Sequence, residues 1–267
     1  MSKVTFDLSG KVVVLAGAAG ILGSRIASAF AERGATLALL DRDAEKVKAL
    51  ADEISESSAS KVCSYTLDIT SKEDYEGVTD KIESTLGPID VLINNAAAKS
   101  PNFFEPFEIF QIEDWDMVMS INVTGVMIGC QVIGKRMASR KKGSIINTLS
   151  VYGIVAPDQR IYEGSFYEGH AINTPAVYST SKAAVWGFTK YLASYWGSKG
   201  IRVNAVTPGG VFSGQNDTFV SRYSNRVPLG KMADKDDLSG AFVYLASDAS
   251  DYVTGQNIIV DGGLTVW

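Results

Sequence analysis

Short apolar runs rich in β-forming residues recur along the chain at 11–16, 35–40, 61–67, 89–93, 143–149, 201–207 and 257–260, and each predicts a strand. Between them lie longer stretches whose apolar positions repeat at helical spacing, predicting helices over 21–33, 43–57, 71–86, 111–140, 176–198 and 234–247. Strand and helix alternate throughout, so the expected architecture is α/β: one doubly wound domain with a parallel seven-stranded sheet covered on both faces. No internal repeat, low-complexity tract or interdomain linker interrupts residues 1–267. Two stretches resist the scheme. One is 151–175, rich in Tyr, Gly and Glu, which reads as a loop insertion; the other is 208–233, opening with Pro208-Gly209-Gly210, which reads as a loop over substrate. Both follow predicted strands, so both should border the crevice beyond the strands' carboxyl ends, where open parallel sheets bind ligands.

Composition narrows the choice of ligand. A chain of 267 residues that is 46% hydrophobic can bury a substantial core. Its net charge of −5 and pI near 5.0 give no general attraction to nucleic acid or to an anionic membrane surface. The longest apolar stretch, 12–22, is too short to span a bilayer and contains Gly17 and Gly20. Residues 1–10 lack the features of a secretory signal, which predicts a cytoplasmic protein. Cys63 and Cys130 read as buried free thiols. With one histidine, His170, and no close Cys/His/carboxylate cluster, no metal site is expected. A small-molecule substrate remains.

The first strand runs into Gly17-Ala18-Ala19-Gly20-Ile21-Leu22-Gly23, and a helix follows at once. Gly17 would permit a tight turn, Gly20 would let the backbone approach a pyrophosphate, and Gly23 would let helix and strand pack closely. The phosphates would then lie at the positive helix N-terminus, beside Ile21 and Leu22. The second strand ends at Asp41, 18 residues beyond Gly23. A carboxylate there can accept hydrogen bonds from the adenosine ribose and repel a 2′-phosphate, which favours NAD over NADP. Arg42 follows, and could stack on adenine or meet a 2′-phosphate instead. For Asp41 itself the alternative is a solvated loop acid or a helix cap.

Further along, Asn94-Asn95-Ala96-Ala97 ends one strand, Ser150 ends another, and Tyr178-Ser179-Thr180-Ser181-Lys182 opens a helix. Together with the glycine turn, this set resembles the short-chain dehydrogenase/reductase family, whose NAD(P)-binding domain is of the Rossmann type, over nearly the whole chain. Tyr178 and Lys182, four apart, share a helix face. An ammonium beside a phenol should lower its pKa from the usual value of about 10. The resemblance implies that Tyr178 is the acid/base, that Lys182 activates it and holds the nicotinamide ribose, and that Ser150 hydrogen-bonds the substrate oxygen. It further implies that Asn122 holds a water in a proton relay, that Asp68 and Ile69 meet the adenine, and that Asn94 and Ala96 stand at the sheet end beside the cofactor. Pro208, Gly209, Val211 and Ser213 would flank the nicotinamide amide. Asn122 could equally make a local helix hydrogen bond, and Asp68 and Asn94 could be structural. The implied reaction passes hydride between the nicotinamide and a secondary alcohol or ketone.

Three departures from the family pattern matter. The glycine spacing is more usual in the extended, sugar-nucleotide members, whereas the length and the ending Val253-Thr254-Gly255…Asp261-Gly262-Gly263 resemble the short form. Ala97 and Ser213 stand where the family usually has glycine and threonine. Ser150 and Tyr178 are 28 residues apart, about twice the family's usual spacing, and the extra length holds Tyr152, Asp158, Arg160, Tyr162, Glu163, Tyr167, Glu168 and His170. Such a mixture would suit a sugar or sugar acid, or else form a solvated insertion or a subunit contact. The segments 191–200 and 208–216 are also similar to those of family members acting on sugars. Competing readings are a nucleotide-sugar epimerase or dehydratase with retained NAD, disfavoured because only four residues follow Gly263, and a non-catalytic NAD(H)-sensing module, which has no need of Ser150, Asn122, Tyr178 and Lys182. The resemblance also implies a homo-oligomer, dimer or tetramer, through the long helices at 111–140 and 176–198, the second bearing Trp186, Phe188, Tyr191, Tyr195 and Trp196.

Overall fold

A computed structural model describes residues 6–167 and 169–267; Glu168, named above in the insertion, lies outside them. The strands in chain order are β1 (Val12–Ala16), β2 (Thr36–Asp41), β3 (Val62–Thr66), β4 (Val91–Asn94), β5 (Gly143–Thr148), β6 (Phe166–Tyr167), β7 (His170–Ala171), β8 (Ile201–Pro208) and β9 (Asn257–Val260). Seven of them form one sheet in the order β3-β2-β1-β4-β5-β8-β9, and every pairing in it is parallel. β6 and β7 pair separately as an antiparallel hairpin inside the insertion. The helices are α1 (Ile21–Ala31), α2 (Ala44–Ser57), α3 (Lys72–Leu86), α4 (Ile112–Met119), α5 (Val126–Arg140), α6 (Ala176–Gly197), α7 (Asp217–Ser224) and α8 (Ser239–Ala246).

Alternate residues of a strand point to opposite faces, so a strand covered on both sides must be apolar throughout. In β1, Val12 and Val14 join the core beneath α3, α5 and α6, whereas Val13 and Leu15 join the core beneath α1, α2 and α8. Fully buried large side chains such as Phe30 and Phe242 anchor the second layer, each worth roughly 1.5–3 kcal/mol by area removed from water. The segment from Ile112 to Arg140 is long and apolar enough to cross a bilayer, yet its α5 part packs Val126, Ile128, Cys130, Val132, Ile133 and Met137 into the core under the sheet.

Three expectations are corrected by the structure. The helix expected over 111–140 is interrupted by a π-helical turn at Ser120–Gly125, between α4 and α5. The last helix begins at Ser239 rather than at 234, because acidic side chains claim the backbone before it: Asp234 accepts from the Asp236 N–H and Asp237 from the Asp234 N–H. The stretch 208–233 contains α7, whose Phe219 and Tyr223, one turn apart, are buried. Those two aromatics, with Val151, Ile161, Val227, Met232 and Leu264, make a small core of their own that joins the insertion to α7 and the C-terminal segment. The insertion is therefore anchored through Val151 and Ile161, with Tyr152, Tyr162 and Ile172 packed beside them, while residues such as Arg160 and Phe166 are exposed.

Parallel register brings the strand ends into one row. Ala16 stands opposite Leu40 and Asn94, Asn94 opposite Asn147, and Asn147 opposite Ala205. Gly17, with φ +77°, turns the chain at the end of β1 so close to β4 that a Cβ would stand 2.5 Å from the Ala96 Cα. Six residues on, a Cβ at Gly23 would stand 2.2 Å from the Gly17 carbonyl oxygen, so α1 can lie against the turn only without a side chain there. Gly77, on the exposed face of α3, has nothing within 4 Å of the same position. Gly23→Ala should therefore destabilise the protein by about 2 kcal/mol, lowering Tm by roughly 4–8 °C, while Gly77→Ala stabilises it by about 0.5–1 kcal/mol. Thermal unfolding followed by circular dichroism checks both signs.

Candidate active site

A cleft of about 950 Å³ follows the carboxyl edge of the sheet. Of the residues predicted for the site, Gly17, Gly20, Ile21, Leu22, Asp41, Arg42, Asp68, Ile69, Ala96, Ser150, Tyr178, Lys182, Pro208, Gly209 and Val211 all line it. Gly23, Asn94, Asn122 and Ser213 do not. Gly23 is buried under the turn, as its packing role requires. Asn94 is 4% exposed and donates to Asn147 Oδ1 at 2.9 Å, a bond between neighbouring strands. Ser213 lies in the loop after β8, where its hydroxyl accepts from Gln215; Gln215, not Ser213, reaches the cleft wall.

At one end the glycine turn hangs from β2. The Leu40 carbonyl accepts from the Gly17 and Ala18 N–H groups, and Asp41 accepts from the Ala19 N–H at 3.0 Å and the Asp43 N–H at 3.2 Å. Asp41 thus does cap backbone, as its alternative reading had it, while still lining the cleft with acceptor capacity to spare. The N-termini of α2 and α3 are closed by Asp43 and Ser71 side chains, but α1 starts at Gly20 with no side-chain cap and no acidic residue in its first turn. A bare helix N-terminus beside an open glycine backbone, with a carboxylate at the next strand end, fits a dinucleotide's pyrophosphate and ribose. Asp68 is exposed, and the Thr70 hydroxyl donating to its carboxylate at 2.7 Å holds its pKa below the usual value.

At the other end, β5 delivers Ser150 and α6 delivers Tyr178 and Lys182. The turn after Ser150 is pressed on α6: a Cβ at Gly153 would stand 2.8 Å from the Lys182 Cβ. Lys182 is 4% exposed, and its ammonium donates to the Thr148 carbonyl at 2.9 Å, 5.9 Å from the centre of the Tyr178 ring. Burial pushes the Lys182 pKa down to about 8. Tyr178 is half-buried, edge-on to Phe103 with ring centres 6.2 Å apart. Its pKa is raised by burial, and the nearby Ser150 hydroxyl pulls the other way. The expected downward shift is corrected here: loss of solvent dominates, and the ammonium is directed at a strand-end carbonyl rather than at the phenol.

Asn122 sits in the π turn, 1% exposed, behind this pair. It accepts from the Ala98 N–H at 3.0 Å and donates to Ser181 Oγ at 3.1 Å, so it ties the loop after β4 to the helix that carries Lys182. Sequence reasoning missed Thr174, Gln215, Phe219 and Tyr223, which also line the cleft. Only their place in or beside the two irregular stretches pointed toward them. Tyr152 and Tyr162 of the insertion are on the wall, and Tyr167 and His170 form the hairpin pair.

A family model described as enoyl-(acyl carrier protein) reductase matches residues 17–265. The D-threitol dehydrogenase of Mycolicibacterium smegmatis is 32% identical over 266 residues, covering 98% of this chain and 95% of that protein. A short-chain dehydrogenase from Leptospira borgpetersenii, solved with bound NAD+, superposes with a TM-score of 0.86 at 32% identity, covering 99% and 97% of the two chains. A gluconate 5-dehydrogenase from Burkholderia cenocepacia, solved with NADP and tartrate, gives a TM-score of 0.86 at 30% identity over 98% of each chain. Likeness of this extent, running from the glycine turn through the tyrosine and lysine of α6 to the last strand, makes the chain a member of the short-chain dehydrogenase/reductase family.

Proposed function

We propose that this protein is an NAD-dependent dehydrogenase of a hydroxyl-rich secondary alcohol, a polyol or sugar, with Tyr178 transferring the hydroxyl proton. Its membership makes it an NAD(P)-dependent oxidoreductase acting on CH–OH groups. The observation that carries the rest is the convergence of Ser150, Tyr178 and Lys182 at one end of a cleft whose other end holds the bare α1 N-terminus and Asp41. The names of the relatives, a threitol dehydrogenase and a gluconate dehydrogenase among them, support the substrate class. Relatives bind NAD in one case and NADP in another; here the Asp41 carboxylate supports NAD, because it would repel a 2′-phosphate. The epimerase and sensor readings are not favoured beside such relatives.

Gly17, Gly20, Ile21 and Leu22 would hold the dinucleotide's phosphates, Asp41 its adenosine ribose, Asp68 and Ile69 its adenine, and Lys182 and Val211 its nicotinamide half. Once bound, the nicotinamide supplies the hydride acceptor or donor. Ser150 donates toward the substrate oxygen and fixes it against the phenol. As a neutral phenol, Tyr178 gives a proton to a carbonyl oxygen during reduction; as a phenolate it takes the hydroxyl proton during oxidation. Asn122 holds the loop and α6 in register so that Lys182 stays behind the phenol. Tyr191 and Tyr195, stacked on the exposed side of α6 with ring centres 5.8 Å apart and 61% and 56% exposed, support a second copy packing there.

Tyr178→Phe should reduce turnover by about 10²–10⁴-fold while NADH binding, read by fluorescence titration, is retained. Because burial raises the phenol pKa, its base form fills only as pH rises. Wild-type alcohol oxidation should therefore speed up with pH on the alkaline side while ketone reduction slows, in absorbance assays at the NADH band; oxidation independent of pH would remove Tyr178 as the base. Asp41→Ala should raise the KM for NAD about tenfold and relax discrimination against NADP, whereas a wild-type preference for NADP would contradict the role given to Asp41. Size-exclusion chromatography with light scattering should give a dimer or tetramer mass, and monomer alone would overturn the proposed assembly.

A further inference from the structure

Three phenols of the cleft wall take no part in the proton transfer described above. Tyr152 lies two residues after Ser150, Tyr162 belongs to the insertion, and Tyr223 lies on α7; all three line the cleft with Tyr178. A hydroxyl has one proton to give. Tyr162 donates to the Tyr152 oxygen at 3.0 Å, so its 2.5 Å contact with Thr174 Oγ1 is donated by Thr174. The chain thus runs from Thr174 to Tyr162 to Tyr152, and the Tyr152 proton is left with no acceptor among the described residues. The Tyr223 phenol accepts from the Gly210 N–H, which leaves its proton uncommitted as well.

The segment that holds Tyr162 is cross-linked to α7. The Asp158 carboxylate accepts from Arg160 at 2.8 Å and also from Arg226, and Arg222 donates to the backbone carbonyls of Arg160 and Glu163. The Tyr162 ring lies 5.4 Å from that of Phe219. Burial keeps the phenols neutral, with Tyr223 pushed up to about 12. The acids lining the cleft, with Arg42 and Lys46, cluster at the nucleotide end. Of the other two lysines, Lys182 is committed to Thr148, and Lys99 lies over the Phe104 ring at 5.2 Å.

We propose that Tyr152 and Tyr223 are the donors that recognise further hydroxyls of a neutral polyol, and that Tyr162 is a positioning residue that aims the Tyr152 proton at the ligand. This rests on the polyol reading above and deepens it, since a phenolic wall with this charge distribution favours the neutral polyol over the matching sugar acid. Each donor left unmatched by a ligand oxygen costs binding, so an alcohol without extra hydroxyls gains nothing from the wall.

The test is steady-state kinetics with NAD for wild type, Tyr162→Phe, Tyr152→Phe and the double variant. The substrates are a neutral polyol, the corresponding sugar acid and a secondary alkanol with no further hydroxyl. Tyr162→Phe should raise the KM for the polyol about tenfold with kcat within about twofold, and change kcat/KM for the alkanol less than about twofold. The double variant should be no worse than Tyr152→Phe alone, because Tyr162 acts through Tyr152. Equal losses on both alcohols, no loss at all, additive losses in the double variant, or a wild type that prefers the sugar acid each overturns this inference alone. A wild type that oxidises the alkanol but no neutral polyol overturns the polyol reading with it.

Discussion

Parallel pairing obliges every strand of the sheet to end at the same edge, where its last carbonyl and the side chain of the next residue are delivered together. This protein spends those strand ends on positioning. The end of β2 receives the N–H groups of the glycine turn through Leu40 and Asp41, and the end of β5 receives the Lys182 ammonium through Thr148. Between them, Asn95 donates its side-chain amide to the Gly17 carbonyl, joining β4 to the turn at the point where the strand order reverses. A one-residue slip in any of these strands would turn its interior face outward and misplace a site group at once, so fold stability and site geometry rest on the same register.

The electrostatics around Tyr178 and Lys182 follow from burial. Taking a phenol out of water raises its pKa, and taking an ammonium out lowers its own, so the two groups are pushed toward neutrality from opposite sides. A phenol held neutral is ready to give a proton. A lysine whose pKa is about 8 changes charge within reach of ordinary working conditions. Ser150 is the counterweight, because a hydroxyl beside the phenol favours the charged form.

Much of this was legible in the residues. All seven sheet strands were expected within a few positions of where they lie, since β-rich apolar runs between helical stretches have few other places to go. The glycine turn and Asp41 follow from their place after the first two strands, and Ser150, Tyr178 and Lys182 from the family resemblance; the structure brings them to one cleft. What was hidden depended on contacts distant in the chain. Nothing in Ser120-Ile121-Asn122 announces a π turn, which exists where Asn122 must reach both Ala98 and Ser181. α7 escaped because two aromatics one turn apart in a polar stretch give a weak periodic signal, and their value lies in packing against Val151 and Ile161. The direction of the Tyr178 shift was misjudged because spacing reveals that a charge is near, but not how deeply the pair is buried or which carbonyl the charge faces.

The arginine cross-links between the insertion and α7 bear on how such a protein can change its diet. Asp158 and Arg226 are 68 residues apart in the chain, yet the carboxylate already held by Arg160 also accepts from Arg226. Grafting residues 151–175 onto another scaffold would carry the Asp158–Arg160 pair along but leave the contacts to Arg222 and Arg226 behind. Drift in either segment is therefore constrained by its counterpart, and this wall of the cleft is a matched pair of segments rather than a single exchangeable loop.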